Sequence, residues 1–504
     1  MAATGEQLTY RELEEKSNQG AHFLRSLGLK RGDVLAVLLN NEISLFPIAW
    51  AAQRAGLYLV SISTRFSAGD IGYILADSEA RILVASDELT DLARQAAVSA
   101  GRDGLKICGV HTGESAWLNE CAAFPTSPIP DQAAGADMLY SSGTTGRPKG
   151  VRPPMPDEKL VVETPLMALG RSLYGMNADT VYLSTSPLYH SAPQRWALTI
   201  QRLGGTVIVM DHFDAEESLR LIERYRVTHG TWVPTHFVRM LKLPESVRAA
   251  YDLSSLQAAI HAAAPCAVEV KRQMINWLGP IVFEYYSGTE MCGLTALSSD
   301  EWLAKPGSVG RAMLGVVKIL DDDDNEVPNG TVGNVYFADG PRFEYHNDPE
   351  KTREAYTRQG WATLGDVGYV DADGYLFLSD RKHFMIISGG VNIYPQEIEN
   401  CLSGHPQVAD VAVIGAPDEE MGERVVAVVQ PASDIAAGPE LAESLRAYAR
   451  AALGGVKCPS MFDFREALPR DPTGKLMKRK LIDEYRQAAS APGAVTATAH
   501  RSVQ

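Results

Sequence analysis

Short β-rich runs alternate with longer stretches of helical period through the first half of the chain, and this rhythm constrains the fold more than any other feature. Runs at 34–39, 59–62 and 81–85 flank a helix-like stretch at 43–55. The same order returns at 181–185, 195–203, 206–210 and 215–225. Alternating β and α segments pack as parallel sheets covered by helices, because each parallel pair needs a crossover connection. From residue 312 the texture turns to β runs broken by Asp, Asn and Gly, which read as hairpins. The acidic run at 321–324 reads as a solvated turn, since the ligand spacing of a calcium loop is absent. A second change follows residue 380: a helix from 395, strands at 410–414 and 424–429, a helix at 440–453, then a basic end with Lys475, Lys478, Arg479 and Lys480. That is an α+β pattern of small-domain size. The tail from 488 has no apolar period and reads as disordered.

Composition excludes several classes. With 504 residues, 45% of them hydrophobic, the chain can bury more than one core. The balance of 47 Lys+Arg against 62 Asp+Glu gives a net charge of −15, without the basic excess of a dedicated nucleic-acid binder. No apolar run reaches the roughly 20 residues of a membrane span, and the polar N-terminus carries no signal-peptide core. Six scattered cysteines show neither CxxC nor zinc spacing and read as reduced thiols of a cytoplasmic protein.

The chemistry-bearing segments lie at the ends of β runs. Residues 140–150 hold Ser141, Ser142, Gly143, Thr144, Thr145, Gly146, Lys149 and Gly150. Glycines let the backbone approach a ligand, hydroxyls and free N–H groups cradle phosphate oxygens, and Lys149 adds charge. The order is not that of a Walker A loop. Tyr286, Ser287, Gly288, Thr289 and Glu290 follow one β run, and His261 with Ala262, Ala263, Ala264 and Pro265 follows another. In open α/β sheets ligands bind beyond the carboxyl ends of strands. His190 follows a third run; Trp232 and His236 read equally as pocket lining or as plain core. Taken singly, Lys475 is a solvated lysine in a basic patch and Asp366 a turn residue.

The 140–150 segment resembles the phosphate loop of the acyl-adenylate-forming (AMP-binding) superfamily: acyl-CoA synthetases, luciferases and peptide-synthetase adenylation domains. Four more segments resemble that family's motifs, in family order. They are Tyr286 to Glu290; Gly360, Trp361, Ala362, Thr363, Leu364, Gly365 and Asp366; Asp380 and Arg381 through Ile393, Tyr394 and Pro395; and Leu468, Pro469, Arg470, Asp471, Pro472, Thr473, Gly474 and Lys475. The resemblance runs over residues 8–485. It implies a large N-terminal AMP-binding domain at 1–380 of parallel, helix-covered sheets with a β-rich hairpin subdomain. It further implies a hinge at 381–384 around His383, and a small mobile α+β domain at 385–487 before the tail at 488–504.

The resemblance also implies roles. Joining a carboxylate to ATP needs no general base, because the acid is already ionised; the difficulty is an anion attacking a polyanion. Glu290 and Thr145 become the ligands of Mg²⁺, a hard ion suited to oxygen. Ser141, Ser142, Gly143, Thr144, Thr289 and Lys149 take phosphates. Ala263, Ala264, Pro265, Tyr285, Tyr286, Ser287 and Gly288 line the adenine pocket, and Asp366 and Arg381 take the ribose or a phosphate. Lys475 is the travelling cation between acyl carboxylate and α-phosphate. His190, Trp232, His236, Ala262 and Gly288 border the acyl group, with His190 shifting as nucleotide binds. Ser388, Gly389 and Gly390 let pantetheine pass. The expected reaction is ATP-dependent acyl-CoA ligation in two half-reactions through domain alternation, on a fatty-acid-like or bulkier (sterol, terpenoid, aryl) acid. ATP, Mg²⁺ and coenzyme A are its cofactors; the partners are the acid or its acyl-adenylate, with homodimer formation left open.

This chain departs from the family pattern in four places: His383 and Phe384 in the hinge, Leu364 where Thr is frequent, and Ser287 for Gly. The family's lead before a segment like residues 8–18 is also longer. Three alternatives therefore stand beside the full ligase: an enzyme of one half-reaction, an adenylation partner that loads a carrier protein, and a non-catalytic binder.

Overall fold

The alternating rhythm of the first half folds as expected in the computed structural model, which describes residues 1–113, 115–141, 148–156, 163–381, 384–389, 391–418, 420–433, 435–455, 457–470 and 476–490. The chain divides into two compact units. The first comprises Met1–Pro265, Val270–Lys318 and Tyr336–Leu364, and the second Cys266–Glu269, Ile319–Val335 and Gly365–Gln504.

Two large sheets build the first unit. One has five parallel strands in the order Lys106–Gly109, Ile82–Ala85, Val34–Leu38, Tyr58–Ser61, Ala136–Asp137. The central strand Val34–Leu38 is buried along its whole length, as an all-apolar run in a sheet covered on both faces must be. The second sheet has seven strands. Thr206–Val209, Val181–Ser184, His229–Trp232, Ala258–His261 and Val282–Tyr286 run parallel, and Leu294–Leu297 and Arg311–Leu314 close the edge antiparallel. A three-stranded antiparallel sheet joins Leu139–Ser141, Lys149–Arg152 and Glu344–Tyr345.

Local chemistry fixes the helices. Thr9 and Glu12 form a capping box at the start of Tyr10–Ser26. The helix Ser191–Leu203 stops at Gly204, whose φ of +85° is the left-handed conformation glycine adopts without a Cβ clash. Trp196 and Ile200 from that helix pack with Tyr182, Ile260 and Tyr285 in one core.

In the second unit the strands Val408–Asp418 and Gly422–Pro431 pair antiparallel over their whole length, with Met461–Phe464 added in parallel. Ile386–Ser388 and Val391–Ile393 extend the sheet. One face packs under the helices Pro395–Ser403 and Pro439–Leu453. The other carries Leu468, Leu481, Ile482 and Phe384. No helix among the described residues is long and apolar enough to cross a membrane.

Candidate active site

Four neighbouring parallel strands of the seven-stranded sheet deliver candidates at their carboxyl ends. Val181–Ser184 leads to His190, His229–Trp232 to His236, Ala258–His261 to Ala262 through Pro265, and Val282–Tyr286 to Ser287 through Glu290. This is where an open α/β sheet exposes unpaired backbone groups to a ligand.

The loop after Val282–Tyr286 is held from several sides. Ser287 Oγ donates to the Gly293 carbonyl at 2.7 Å, so the serine that departs from the family pattern closes the loop on itself. Arg195 reaches in from the helix Ser191–Leu203. Its Nη1 donates to the Thr289 carbonyl at 2.9 Å, while its Nε donates to Asp137 Oδ2 at 2.7 Å. Ser191 Oγ lies 3.4 Å from Thr289 Oγ1. The Tyr345 hydroxyl donates to Glu290 Oε1 at 2.9 Å. Met291, next in the chain, has φ +52°, and Ala263 in the neighbouring loop φ +73°. Left-handed non-glycine residues hold strain, and these two stand in adjacent strand-end loops.

Gly288 sits in the tightest place. A Cβ there would lie 2.5 Å from Glu290 Oε2 and 2.6 Å from Leu364 Cδ2. Leu364 thus has a packing role where the family often carries Thr. Gly288→Ala pushes the carboxylate aside; acyl-AMP formation is expected to fall about tenfold or more, at an unchanged urea midpoint. Full activity in that variant would show that Glu290's position is immaterial.

Lys149 lies on the strand Lys149–Arg152 with its ammonium 5.7 Å from the centre of the Tyr345 ring. Burial first, then the neighbouring ammonium of Lys351, pushes its pKa down to about 8. His190 precedes the helix Ser191–Leu203 as its N-cap and packs on Tyr189, ring centres 4.5 Å apart.

His236 stacks flat on Phe213 at 3.7 Å. Thr185 gives its one hydroxyl proton to the Thr231 carbonyl at 2.7 Å, so the 3.2 Å contact to His236 Nδ1 makes Nδ1 the donor. Burial, with Arg239 adding to it, pushes the His236 pKa down to about 3, leaving the ring neutral. Trp232 is buried, its indole donating to Ser218 Oγ at 3.3 Å. Tyr285 is also buried, its hydroxyl accepting from Trp196 at 3.2 Å; Tyr286, on the opposite face of the strand, is half-buried.

The second unit brings Asp366 and Arg381 together by register: they are opposite residues of the antiparallel pair Ala362–Val370 and Leu376–Arg381. Ser388 ends a strand, and Gly389 follows at φ +57° with its N–H donating to the Met421 carbonyl at 2.9 Å. A Cβ on Gly389 would meet Met421 Cε at 2.5 Å. Two ion pairs stand on either side of residues 471–475 in the sequence. Arg470 grips both carboxylate oxygens of Asp410 at 2.7 and 2.8 Å, and buried Lys478 pairs with Glu399 at 2.8 Å. Ser142, Gly143, Thr144, Thr145, His383, Gly390 and Lys475 lie outside the described residues.

Arg195, Asp137, Tyr345 and Lys351 carry no motif and escaped the sequence reading. Arg195 stands five residues after His190 on the face of its helix that meets the Thr289 loop.

Parallel strand ends that gather a carboxylate and hydroxyls, with Lys149 of the three-stranded antiparallel sheet beside Tyr345, make an α/β site whose chemistry suits phosphate groups. The chain belongs to the AMP-binding enzyme family: the family model matches residues 1–342, and that of the AMP-binding enzyme C-terminal domain matches residues 397–475. It is 32% identical over 491 residues to the fatty acid–[acyl-carrier-protein] ligase ScoC of Streptomyces coeruleorubidus, covering 95% of this chain and 92% of that protein. It is 32% identical over 492 residues to the long-chain-fatty-acid–CoA ligase FadD13 of Mycobacterium tuberculosis, covering 96% and 94%. Its structure is similar to that of ATP-bound MatB from Rhodopseudomonas palustris, with a TM-score of 0.84 at 27% identity over 96% of this chain and 95% of that one.

Proposed function

We propose that the chain is an ATP-dependent acyl-CoA ligase acting on a fatty-acid-like or bulkier carboxylic acid. The observation that carries this reading is the loop of Thr289 and Glu290, tied by Arg195 and Tyr345 at the end of the same sheet that presents His190 and His236.

The acid's carboxylate oxygen attacks the α-phosphorus of ATP; the α–β bridging bond breaks, giving acyl-AMP and pyrophosphate. The CoA thiol, giving up its proton to solvent, then attacks the acyl carbonyl and AMP leaves, taking the electron pair of the broken C–O bond. AMP is a good leaving group, so no enzyme nucleophile is required. Thr289 donates to phosphate, and Lys149 supplies charge. Asp366, with Arg381 opposite it, holds the ribose. Glu290, a hard carboxylate oxygen at the strand end, would hold a Mg²⁺, and that ion would supply positive charge against the triphosphate. Lys475 supplies the ammonium between the two anions. Rotation about residues 381–384 exchanges it for the loop of Ser388, Gly389 and Gly390, so that residues 1–380 and 385–487 act as the fixed and moving domains. Six free thiols and the use of ATP and CoA fit a cytoplasmic setting.

The test is incubation with Mg²⁺, ATP, CoA and a panel of acids, following AMP, pyrophosphate and thioester. Thioester and AMP in equal amounts support the ligase; no AMP with any acid overturns it. Thioester from supplied acyl-AMP alone establishes an enzyme of the second half-reaction. Resemblance to a carrier-protein ligase at the same identity as to a CoA ligase favours one further reading, loading of a carrier protein. Transfer to a carrier but not to CoA establishes that.

A further inference from the structure

The helix Ser191–Leu203 sends two consecutive residues to the carboxyl edge of the five-stranded sheet. Gln194 Oε1 accepts from Ser61 Oγ at 2.5 Å, and Arg195 Nε donates to Asp137 Oδ2 at 2.7 Å. Ser61 and Asp137 are the last residues of neighbouring strands. Asp137 stands just before the strand Leu139–Ser141, which pairs with Lys149–Arg152, so the hydroxyl-rich segment 142–147 lies in sequence between those two strands. From the same guanidinium, Nη1 donates to the Thr289 carbonyl at 2.9 Å. One side chain thus joins the entry of the phosphate segment to the loop after Val282–Tyr286. The exit of that segment is joined to the same loop at the next residue, because Tyr345, paired with Val151, donates to Glu290 Oε1 at 2.9 Å.

Stability alone does not call for an ion pair here. The Arg195 and Asp137 side chains are only 15% and 23% exposed, and an apolar pair of similar volume holds two elements together at least as well as a largely buried ion pair. The helix is also anchored without it, since Trp196 and Ile200 pack in the core and Gln194 bonds Ser61. What a guanidinium adds is geometry. Its N–H groups form a rigid planar fork, so the bond to Asp137 and the bond to Thr289 fix each other's direction. The bond to Thr289 is to the main chain, so it sets the course of the backbone and does not consume the Thr289 hydroxyl. With the Tyr345 tie alone, the loop could pivot about Glu290; a second tie one residue away removes that freedom. Such precision matters to a reaction, because a misplacement of about 1 Å can cost roughly a hundredfold in rate.

Resting on the ligase reading, we propose that Asp137 and Arg195, which no motif marks, are positioning residues for adenylation. Asp137 orients the guanidinium, and Arg195 holds the Thr289 main chain at a set distance from the strand that leads into the phosphate segment. Their effect reaches ATP through the Thr289 and Glu290 loop rather than by contact. Asp137 therefore has no effect of its own on ATP once Arg195 is gone.

The experiment is a double-mutant cycle on the full chain: Arg195→Met, Asp137→Leu, both together, and Asp137→Asn beside them. For each, kcat/KM for ATP in acyl-AMP formation, ATP affinity by calorimetry and the urea midpoint are measured. Arg195→Met is expected to lower kcat/KM for ATP about thirtyfold, and Asp137→Leu about tenfold. The double variant is expected to lose no more than Arg195→Met alone, because Asp137 acts through the arginine. Its urea midpoint is expected to return toward the parent's, because no unpaired charge is left. Asp137→Asn keeps an oxygen for the Nε–H and is expected to stay within about threefold of the parent. ATP affinity follows the same order. Losses that multiply in the double variant overturn the proposal, since Asp137 then acts apart from Arg195. Activity that returns together with the urea midpoint overturns it as well, since the pair then only holds the fold. So does an Asp137→Asn variant as impaired as Asp137→Leu, since charge rather than the bond to Nε is then what counts. A parent that binds ATP yet makes no acyl-AMP with any acid removes the ligase reading, and the cycle is then read on ATP affinity. Unchanged affinity across all four variants, or a parent that binds no ATP, overturns the tie itself.

Discussion

Lys475→Ala is expected to cost acyl-AMP formation about a hundredfold or more, the scale of losing one preorganised donor to developing charge. Transfer from supplied acyl-AMP to CoA is expected to change by less than about tenfold. The asymmetry follows from the chemistry. Adenylation brings a carboxylate to a polyphosphate, and one ammonium placed between them offsets repulsion from both. Thiol attack on a neutral carbonyl meets no such barrier. Among the basic residues around Lys475, two are already engaged: Lys478 is buried against Glu399, and Arg479 pairs with Asp483 at 3.0 Å one helical turn on. Lys480→Ala, at an exposed site on the same helix, is the matched control and is expected to leave both assays near the parent. Separate measurement of pyrophosphate release and thioester formation decides the matter. Equal loss in both half-reactions would mean that Lys475 serves both steps from one position.

The parallel architecture was legible because its code is local. Runs such as 34–39 and 59–62 are apolar on both faces, and that pattern belongs to a sheet covered on both sides. Gly288 and Gly389 were legible as residue types: at each a Cβ would lie 2.5 Å from a side-chain atom, Glu290 Oε2 at the first and Met421 Cε at the second. What the sequence hides is contact at long separation. Arg195 meets Thr289 and Asp137, residues 94 and 58 positions away, and no periodicity encodes either pair. Tyr345 reaches Glu290 across 55 positions, from a segment that reads only as hairpin. The departures from family pattern make sense only in three dimensions. Leu364 covers Gly288, Ser287 ties its loop to Gly293, and Phe384 packs in an apolar cluster with the Lys478 ammonium 5.6 Å from its ring centre. Tyr285 and Tyr286 are adjacent letters, yet strand alternation turns the first into the core against Trp196 and the second to the opposite face, against Phe337 with ring centres 6.2 Å apart.

The buried cluster beneath these loops carries the largest expected effect on stability. Lys271 in the helix Val268–Leu278 is fully buried, and its ammonium lies 2.6 Å from Glu284 Oε2 on the strand Val282–Tyr286. His261, at the end of the next strand, is also fully buried, with Nε2 3.5 Å from the same carboxylate oxygen. Burial, reinforced by Lys271, drives the His261 pKa far below its usual value, so the ring is neutral and does not share Glu284's charge. Burial pushes the Glu284 pKa up, and Lys271 opposes that shift. Lys271→Met removes the one cation and leaves a carboxylate inside the protein, at an expected cost of about 3–5 kcal/mol. Lys271→Met with Glu284→Leu removes both charges and is expected to recover most of that loss, because a well-packed apolar pair of similar volume replaces a buried ion pair at little or no net cost. Urea unfolding followed by tryptophan fluorescence measures both; Trp302 lies over Lys271, its ring centre 5.0 Å from the ammonium. The helix that carries Lys271 follows the Ala262 to Pro265 loop, and the strand that carries Glu284 runs into Ser287 through Glu290, so the single variant is expected to raise the KM for ATP as well. A single variant as stable as the parent would show that Glu284 takes up a proton in the fold, and the pair would then be a neutral hydrogen bond rather than an ion pair.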